Sequence, residues 1–286
     1  MLGILAVPAF NHRKGEQLGQ VMSWVPDGLD VSLPSAARMY DYLLGGGHNF
    51  DADRQLASRV SAAHPGCYDI ARLNRAFLRR VVLELIDAGI RQFLDLGSGI
   101  PTVGNVHEIA QQAEPEARVV YVDHDPVAVA HSGLILRGNN RAGVMQADLR
   151  EPGSILTSPT TRRLLDLSQP LGVLMVCVVH FVPDDADPVG LIGQFRDALA
   201  PGSYLGLSHL TADSGPVEMN ALVEVMRSSR DPIHPRSKAQ ITEMFTGFEL
   251  VAPGVVSVAD WRPCSPGDSG NPPERDQVLA GVAVKR

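Results

Sequence analysis

The sequence predicts an α/β fold, a doubly wound and largely parallel sheet of about seven strands that ends in an antiparallel hairpin and is preceded by a helical cap. Three observations carry this reading. From Phe93 onward, short apolar runs alternate with segments of helical periodicity, the pattern of strand–helix–strand units. The first apolar run ends in Asp95, Gly97 and Gly99 and the second in Asp123, so that glycines and a carboxylate meet at one sheet edge. The last two runs are separated by a stretch dense in Pro and Gly with no room for a regular helix, and such neighbours pair antiparallel.

Taken in order, residues 1–30 read as a loose leader, 31–90 as the helical cap and 91–286 as the sheet domain. Residues 2–10 are mostly apolar, yet no basic segment precedes them and no run reaches the roughly 18 residues of a membrane span. In the cap, an amphipathic turn stops at Gly45, and 68–88 form a helix with Ile70, Leu73, Phe77, Val81 and Leu85 on one face. Its other face carries Arg72, Arg75, Arg79, Arg80 and Glu84, a solvated surface on which Arg75 and Arg79 could also meet an anion. Strands follow near 92–96, 118–122, 143–147, 171–179, 203–209, 248–258 and 277–284. Helices are expected near 103–113, 126–138, 153–167, 188–199, 215–228 and 237–246. Asp125 caps a helix whose first residue is Pro126, and Ser237 with Gln240 forms a capping box. Residues 262–273, rich in turn formers, should be an exposed loop.

At 286 residues the chain can bury a substantial core, and a net charge of −7 without a dense Lys/Arg run gives no footing for broad nucleic-acid binding. Cys67, Cys177 and Cys264 are far apart and form no Cys-x-x-Cys pair. That argues against a disulfide framework or a structural zinc site and suits a reducing cytoplasm. Asp51 with Asp53, and Asp184, Asp185 and Asp187, lie beside Pro or at helix starts with no His or Cys to complete a transition-metal set. They read as caps and solvated loops, and no metal is expected. A small or medium-sized substrate is the simplest expectation.

Without side chains, Gly97 and Gly99 allow a tight turn around Ser98 and close approach of a ligand, while Asp123 can accept hydrogen bonds from both hydroxyls of a ribose. Two cofactor classes use such a site. The dinucleotide fingerprint G-x-G-x-x-G/A ends in a small residue, and here that position is Thr102. The pattern Asp-x-Gly-x-Gly-x-Gly suits S-adenosylmethionine, a cationic ligand without a pyrophosphate. Asp95, Gly97 and Gly99 match it, with Pro101 in place of the last glycine. The carboxylate ahead of the glycines favours S-adenosylmethionine.

With these residues in place, the chain resembles the class I S-adenosylmethionine-dependent methyltransferases and, more narrowly, a bacterial S-adenosyl methyltransferase family. The narrower likeness rests on residues 34–54, which run from Pro34-Ser35-Ala36-Ala37-Arg38 through Gly45-Gly46-Gly47 to Asp53-Arg54, and on 74–80, 93–106, 119–126 and 201–205. It spans roughly 34–285 and implies a Rossmann-like methyltransferase fold with S-adenosylmethionine as cofactor; it names no acceptor. It also implies that Asp148, ending the third strand, accepts from the adenine N6 amine while the Leu149 N–H reaches N1, the competing reading being a helix cap before Pro152.

Other candidates have two readings each. Asp95 is either a strand-end acid or a contact for the methionine amino group, and His124 either lines the adenine pocket or sits in an exposed loop. His180 and His209 end the fourth and fifth strands, at the edge where ligands bind in such sheets. Each is a structural histidine or the base that takes a proton from the acceptor, and His180 could also flank the sulfonium. Gly45 alone would end a helix, so Gly45, Gly46 and Gly47 are expected to form a flexible lid, with Tyr40 and Phe50 shielding the donor. The expected function is methyl transfer from S-adenosylmethionine to a small-molecule acceptor. The rivals are a non-catalytic S-adenosylmethionine-binding regulator and a nicotinamide-dependent oxidoreductase, the latter opposed by Thr102 and the terminal hairpin.

Overall fold

The computed structural model describes residues 25, 26, 28–101, 104–227, 229–264 and 274–286. Most of the expected leader, Thr102 and the 265–273 part of the expected loop therefore lie outside the described residues. Five parallel strands, β1 (Gln92–Leu96), β2 (Arg118–Asp123), β3 (Ala142–Gln146), β4 (Gly172–Val176) and β5 (Tyr204–Leu210), lie side by side in the order β3-β2-β1-β4-β5. The short β6 (Glu249–Leu250) and β7 (Val256–Ser257) and the long β8 (Val278–Val284) complete one eight-stranded sheet. All three run antiparallel to their neighbours, β8 lying between β5 and the β6/β7 pair.

Three helices form the cap: α1 (Ala36–Leu43), α2 (Asp51–Ala63) and α3 (Cys67–Asp87). Along the sheet follow α4 (Val106–Ala113), α5 (Pro126–Ile135), α6 (Pro152–Thr157), α7 (Pro159–Leu164), α8 (Pro188–Ala198), α9 (Pro216–Met226) and α10 (Lys238–Glu243). Successive strand residues face opposite sides: Phe93 and Val119 enter the core shared with α3 and α4, and Leu94 and Val120 the core shared with α8 and α10. Burial on both faces is why these strands read as unbroken apolar runs. On α3, Leu73, Phe77, Val81 and Leu85 are buried as their spacing predicts.

The differences from expectation have local causes. The strand expected over 248–258 is two short pairings, β6 and β7, because Pro253 has no N–H for the ladder and Gly254 turns the backbone to φ +85°. The helix expected over 153–167 breaks into α6 and α7 at Ser158, which precedes Pro159 and is extended at φ −60°, ψ 151°, its hydroxyl capping Thr161 N at 3.0 Å. α2 was absent from the expected elements; acids in its first turn and the buried stripe Leu56, Ala57, Val60 define it. Arg80 is not on a solvated face: it is buried and donates from Nε to the Trp261 carbonyl at 2.9 Å. Among the described residues no helix is long and apolar enough to cross a membrane.

Candidate active site

A cavity of about 640 Å³ opens where the carboxyl ends of β1, β2, β4 and β5 meet the underside of α1, α3 and α9. Its sheet side is built by the glycine turn. Gly97 and Gly99 sit at φ +69° and +65°, in the left-handed region, and the amides of Gly97 and Ser98 both donate to the Val122 carbonyl. The Gly99 amide donates to Asp123 Oδ2 at 2.7 Å, while Asp123 Oδ1 accepts from Asp125 N at 2.8 Å. Asp123 thus holds the turn in shape while lining the cavity.

The two glycines differ in what surrounds them. A Cβ on Gly97 would lie 2.1 Å from Val178 Cγ2, whereas one on Gly99 would meet nothing within 4 Å, so Gly99 borders open space. Gly97→Ala is therefore expected to cost about 2–4 kcal/mol, from strain plus overpacking, and Gly99→Ala about 1–2 kcal/mol from strain alone. Urea denaturation of the two variants checks this ranking; equal losses would contradict it.

Asp95 ends β1 at the cavity, 6% exposed, with no hydrogen bond from the described residues reaching its carboxylate. Burial pushes it up to about 7, with the charge of Arg75 pulling the other way and Asp123 adding to the rise. Arg75 lines the same cavity and donates to the Gly104 carbonyl at 2.7 Å, so it belongs to the site rather than to a solvated helix face. Ser98 Oγ is buried without a hydrogen-bond partner. Asp148 and Leu149 line the far side, where the Arg150 guanidinium grips Asp148 at 3.0 Å and holds its carboxyl below the usual range. His124 lines the cavity and is half-exposed. Its Nε2 lies 3.4 Å from Asp231, a hydrogen bond that raises its pKa, and Asp231 in turn accepts from the Ala36 amide of α1 at 2.7 Å.

Above the sheet, Tyr40 lines the cavity and is fixed by donating to the Ala71 carbonyl at 3.0 Å and accepting from Asn74 Nδ2 at 3.1 Å. Asn74 Oδ1 accepts from Ser208 Oγ at 2.7 Å, so a hydrogen-bonded chain runs from the cap to β5. Cys177, just past β4, is held at φ +53° and its thiol is pushed up to about 12 by burial, which keeps it neutral. His180 lines the cavity, 4% exposed, with no partner on Nδ1; burial, reinforced by His209 and Arg236, drives its pKa well below the usual value.

Three expected roles fail on position. His209 is fully buried and outside the cavity lining: Nδ1–H donates to the Leu210 carbonyl at 2.7 Å, Nε2 accepts from Arg236 at 3.0 Å, and its pKa falls to about 3 through burial. It has no free nitrogen for an acceptor's proton. Its partner Arg236 also donates to Asp184 and to the Val179 and Val182 carbonyls, fixing the segment that carries His180. Gly46 is not in a lid. The Gly46 amide donates to the Asp41 carbonyl, and the Asp41 carboxylate accepts from His48 N and Asn49 Nδ2, so the glycines form a pinned turn away from the cavity. A Cβ on Gly46 would meet Asp41 Oδ1 at 2.0 Å. Phe50 packs on Ile100, Val127 and Ala128 under the Arg38 guanidinium instead of covering the donor.

The sequence profile of the S-adenosyl methyltransferase family matches residues 22–286. The chain belongs to that family. It is an S-adenosylmethionine-dependent methyltransferase. The methyltransferase is similar to an inferred methyltransferase of Thermobifida fusca YX, 43% identical over 92% of this chain and 99% of that one, with a TM-score of 0.87. It is also similar to a DUF574-family protein of Streptomyces avermitilis MA-4680, 38% identical over 90% and 99% of the two chains, TM-score 0.86. The CurJ carbon methyltransferase, 15% identical over 86% of this chain and 66% of that one at a TM-score of 0.53, shares the fold alone. A search of curated proteins finds no match. The cavity suits the cofactor: the buried Asp95 carboxylate, which accepts no hydrogen bond from the described residues, suits a cation, Ser98 Oγ is without a partner, and Gly99 leaves space beside the backbone.

Proposed function

We propose that the enzyme methylates a small, largely apolar acceptor seated beneath the helical cap. The observation that carries this reading is the division of one cavity into two chemistries. Carboxylates and the glycine turn lie on the sheet side, while Leu43, Val60, Leu222, Met226 and Ile233 line the cap side. Asp123 would take the ribose hydroxyls, Asp148 and the Leu149 amide the adenine, and Asp95, Ser98 and Arg75 the methionine end, with Tyr40, His124 and His180 closing the walls. S-adenosylmethionine supplies an electrophilic sulfonium methyl, so the protein's task is to align the acceptor and exclude water. His180, held neutral by burial, would accept a hydrogen bond from the acceptor. The test is transfer of tritiated methyl from labelled S-adenosylmethionine into a fractionated bacterial extract. Label in extractable small molecules supports the reading; label confined to precipitable macromolecules overturns it.

The Asp95 assignment has its own test. A cation is met by the ionised carboxylate, so donor affinity is expected to fall as pH drops below about 7, by up to about tenfold per unit, and to level off above it. Calorimetric titration across this window should show the slope in the wild type and a flat response in Asp95→Asn. The same slope in both would remove Asp95 from this role.

A further inference from the structure

The segment that follows α9 crosses the cavity rather than bordering it on one side. Arg230, Asp231, Pro232, Ile233 and His234 all line the cavity that also holds Asp95, Gly97 and Gly99. Its attachments lie on either side of the glycine turn. At one, Asp231, 6% exposed, faces Nε2 of His124, the residue after β2, at 3.4 Å. Three residues on, the His234 amide donates to the carbonyl of His180, just past β4, at 2.7 Å. In the sheet β1 stands between β2 and β4, so residues 231–234 form a strap over the end of the strand that leads into the glycine turn. The span fits: two strand spacings come to about 10 Å, and three residues of extended chain reach about 10 Å.

The two ends of the strap are held unequally. Beyond His234, Arg236 is buried, its amide donates to the Leu210 carbonyl, and its guanidinium donates to Asp184, His209 and the Val179 and Val182 carbonyls. The other end rests on the Asp231 carboxylate, which accepts from the Ala36 amide at 2.7 Å and faces the half-exposed His124 ring. A half-exposed pair costs little to break, whereas freeing Arg236 breaks a buried network all at once.

We infer that residues 230–235 are a gate over the donor, anchored at Arg236 and latched by Asp231 to His124 and the start of α1, which opens to admit S-adenosylmethionine and to release S-adenosylhomocysteine. The gate presupposes the donor on the glycine turn, as proposed above. Its signature is kinetic. A gate that opens more often speeds entry and exit together and leaves affinity nearly unchanged, whereas a residue that only touches the donor acts on exit. The measurement is the association of tritiated S-adenosylhomocysteine with the full chain and its dissociation into excess unlabelled ligand, at one fixed pH. Asp231→Asn, which removes the charge facing His124 yet keeps an oxygen for the Ala36 amide, should raise both rate constants by at least about threefold and hold Kd within about twofold. Should Asp231→Asn fail to fold, Pro232→Gly, which frees the strap's backbone and leaves both latch residues in place, carries the test with the same paired rise. Unchanged rates, or faster exit with entry unchanged, overturn the gate and leave the donor on the glycine turn. Binding of S-adenosylhomocysteine that survives Asp123→Ala takes the donor off the turn, and the gate falls with it.

Discussion

Asp123→Ala is expected to weaken S-adenosylmethionine binding by at least about a hundredfold while the chain stays folded. Each hydrogen bond to a charged group contributes about 1.5–3 kcal/mol, and a ribose diol would make two of them with this carboxylate, which sets the loss at about 3–6 kcal/mol. The carboxylate also fixes the recipient surface, because Oδ2 holds the Gly99 amide and Oδ1 the Asp125 amide. Asp123→Asn separates the two contributions. Its carbonyl oxygen can keep one of the amides, so a loss smaller than that of alanine shows that turn shape and diol recognition both count. Calorimetry with S-adenosylmethionine and S-adenosylhomocysteine reads the affinity and circular dichroism the fold. Wild-type affinity in Asp123→Ala would displace the donor from the glycine turn.

Arg38→Met is expected to remove about 3–5 kcal/mol of stability. Arg38 is fully buried against two fully buried carboxylates, with Nε 2.9 Å from Asp53 Oδ2 and Nη1 3.6 Å from Asp125 Oδ2. Asp53 spends its remaining capacity on the amides of Ser35 and Phe50, and Asp125 on the first turn of α5. Taking away the guanidinium leaves two desolvated charges with no cation, and a whole domain is stable by only about 5–15 kcal/mol. The urea midpoint should fall accordingly, and adding Asp53→Asn to Arg38→Met should recover part of the loss. A change below about 1 kcal/mol would show that the cap does not depend on this cluster.

What was legible in the sequence was what lies close along the chain. Gly97, Gly99 and Asp123 are separated by one strand–helix–strand unit, and the left-handed turn they build follows from residue type and spacing. The alternation of apolar runs likewise placed β1, β2, β3 and β5 within a residue of where they stand, and overran the end of β4, Val176, by three residues. What stayed hidden depends on partners distant in sequence. Arg75 reads as a solvated helix residue until α3 is laid over β1, and nothing near His64 in the sequence points to Gln277, which reaches it from a position 213 residues away. His209 carried the right residue type at the right strand end, yet Arg236 occupies its second nitrogen. Gly46 suggested motion because three glycines in a row permit it; the Asp41 side chain, seven residues before His48, removes that freedom.

The position of β8 sets a timetable for biosynthesis. Residues 278–284 lie between β5 and the β6/β7 pair, so a nascent chain that has already emerged through β7 still carries two open strand edges. Those edges close only when residues 278–284 have been made, and Gln277, just ahead of them, arrives at the same time to engage His64. Pairing of β8 and anchoring of the corner between α2 and α3 through Gln277 therefore go together, and a chain stalled short of residue 277 would leave the edge of β5 open and His64 without this partner.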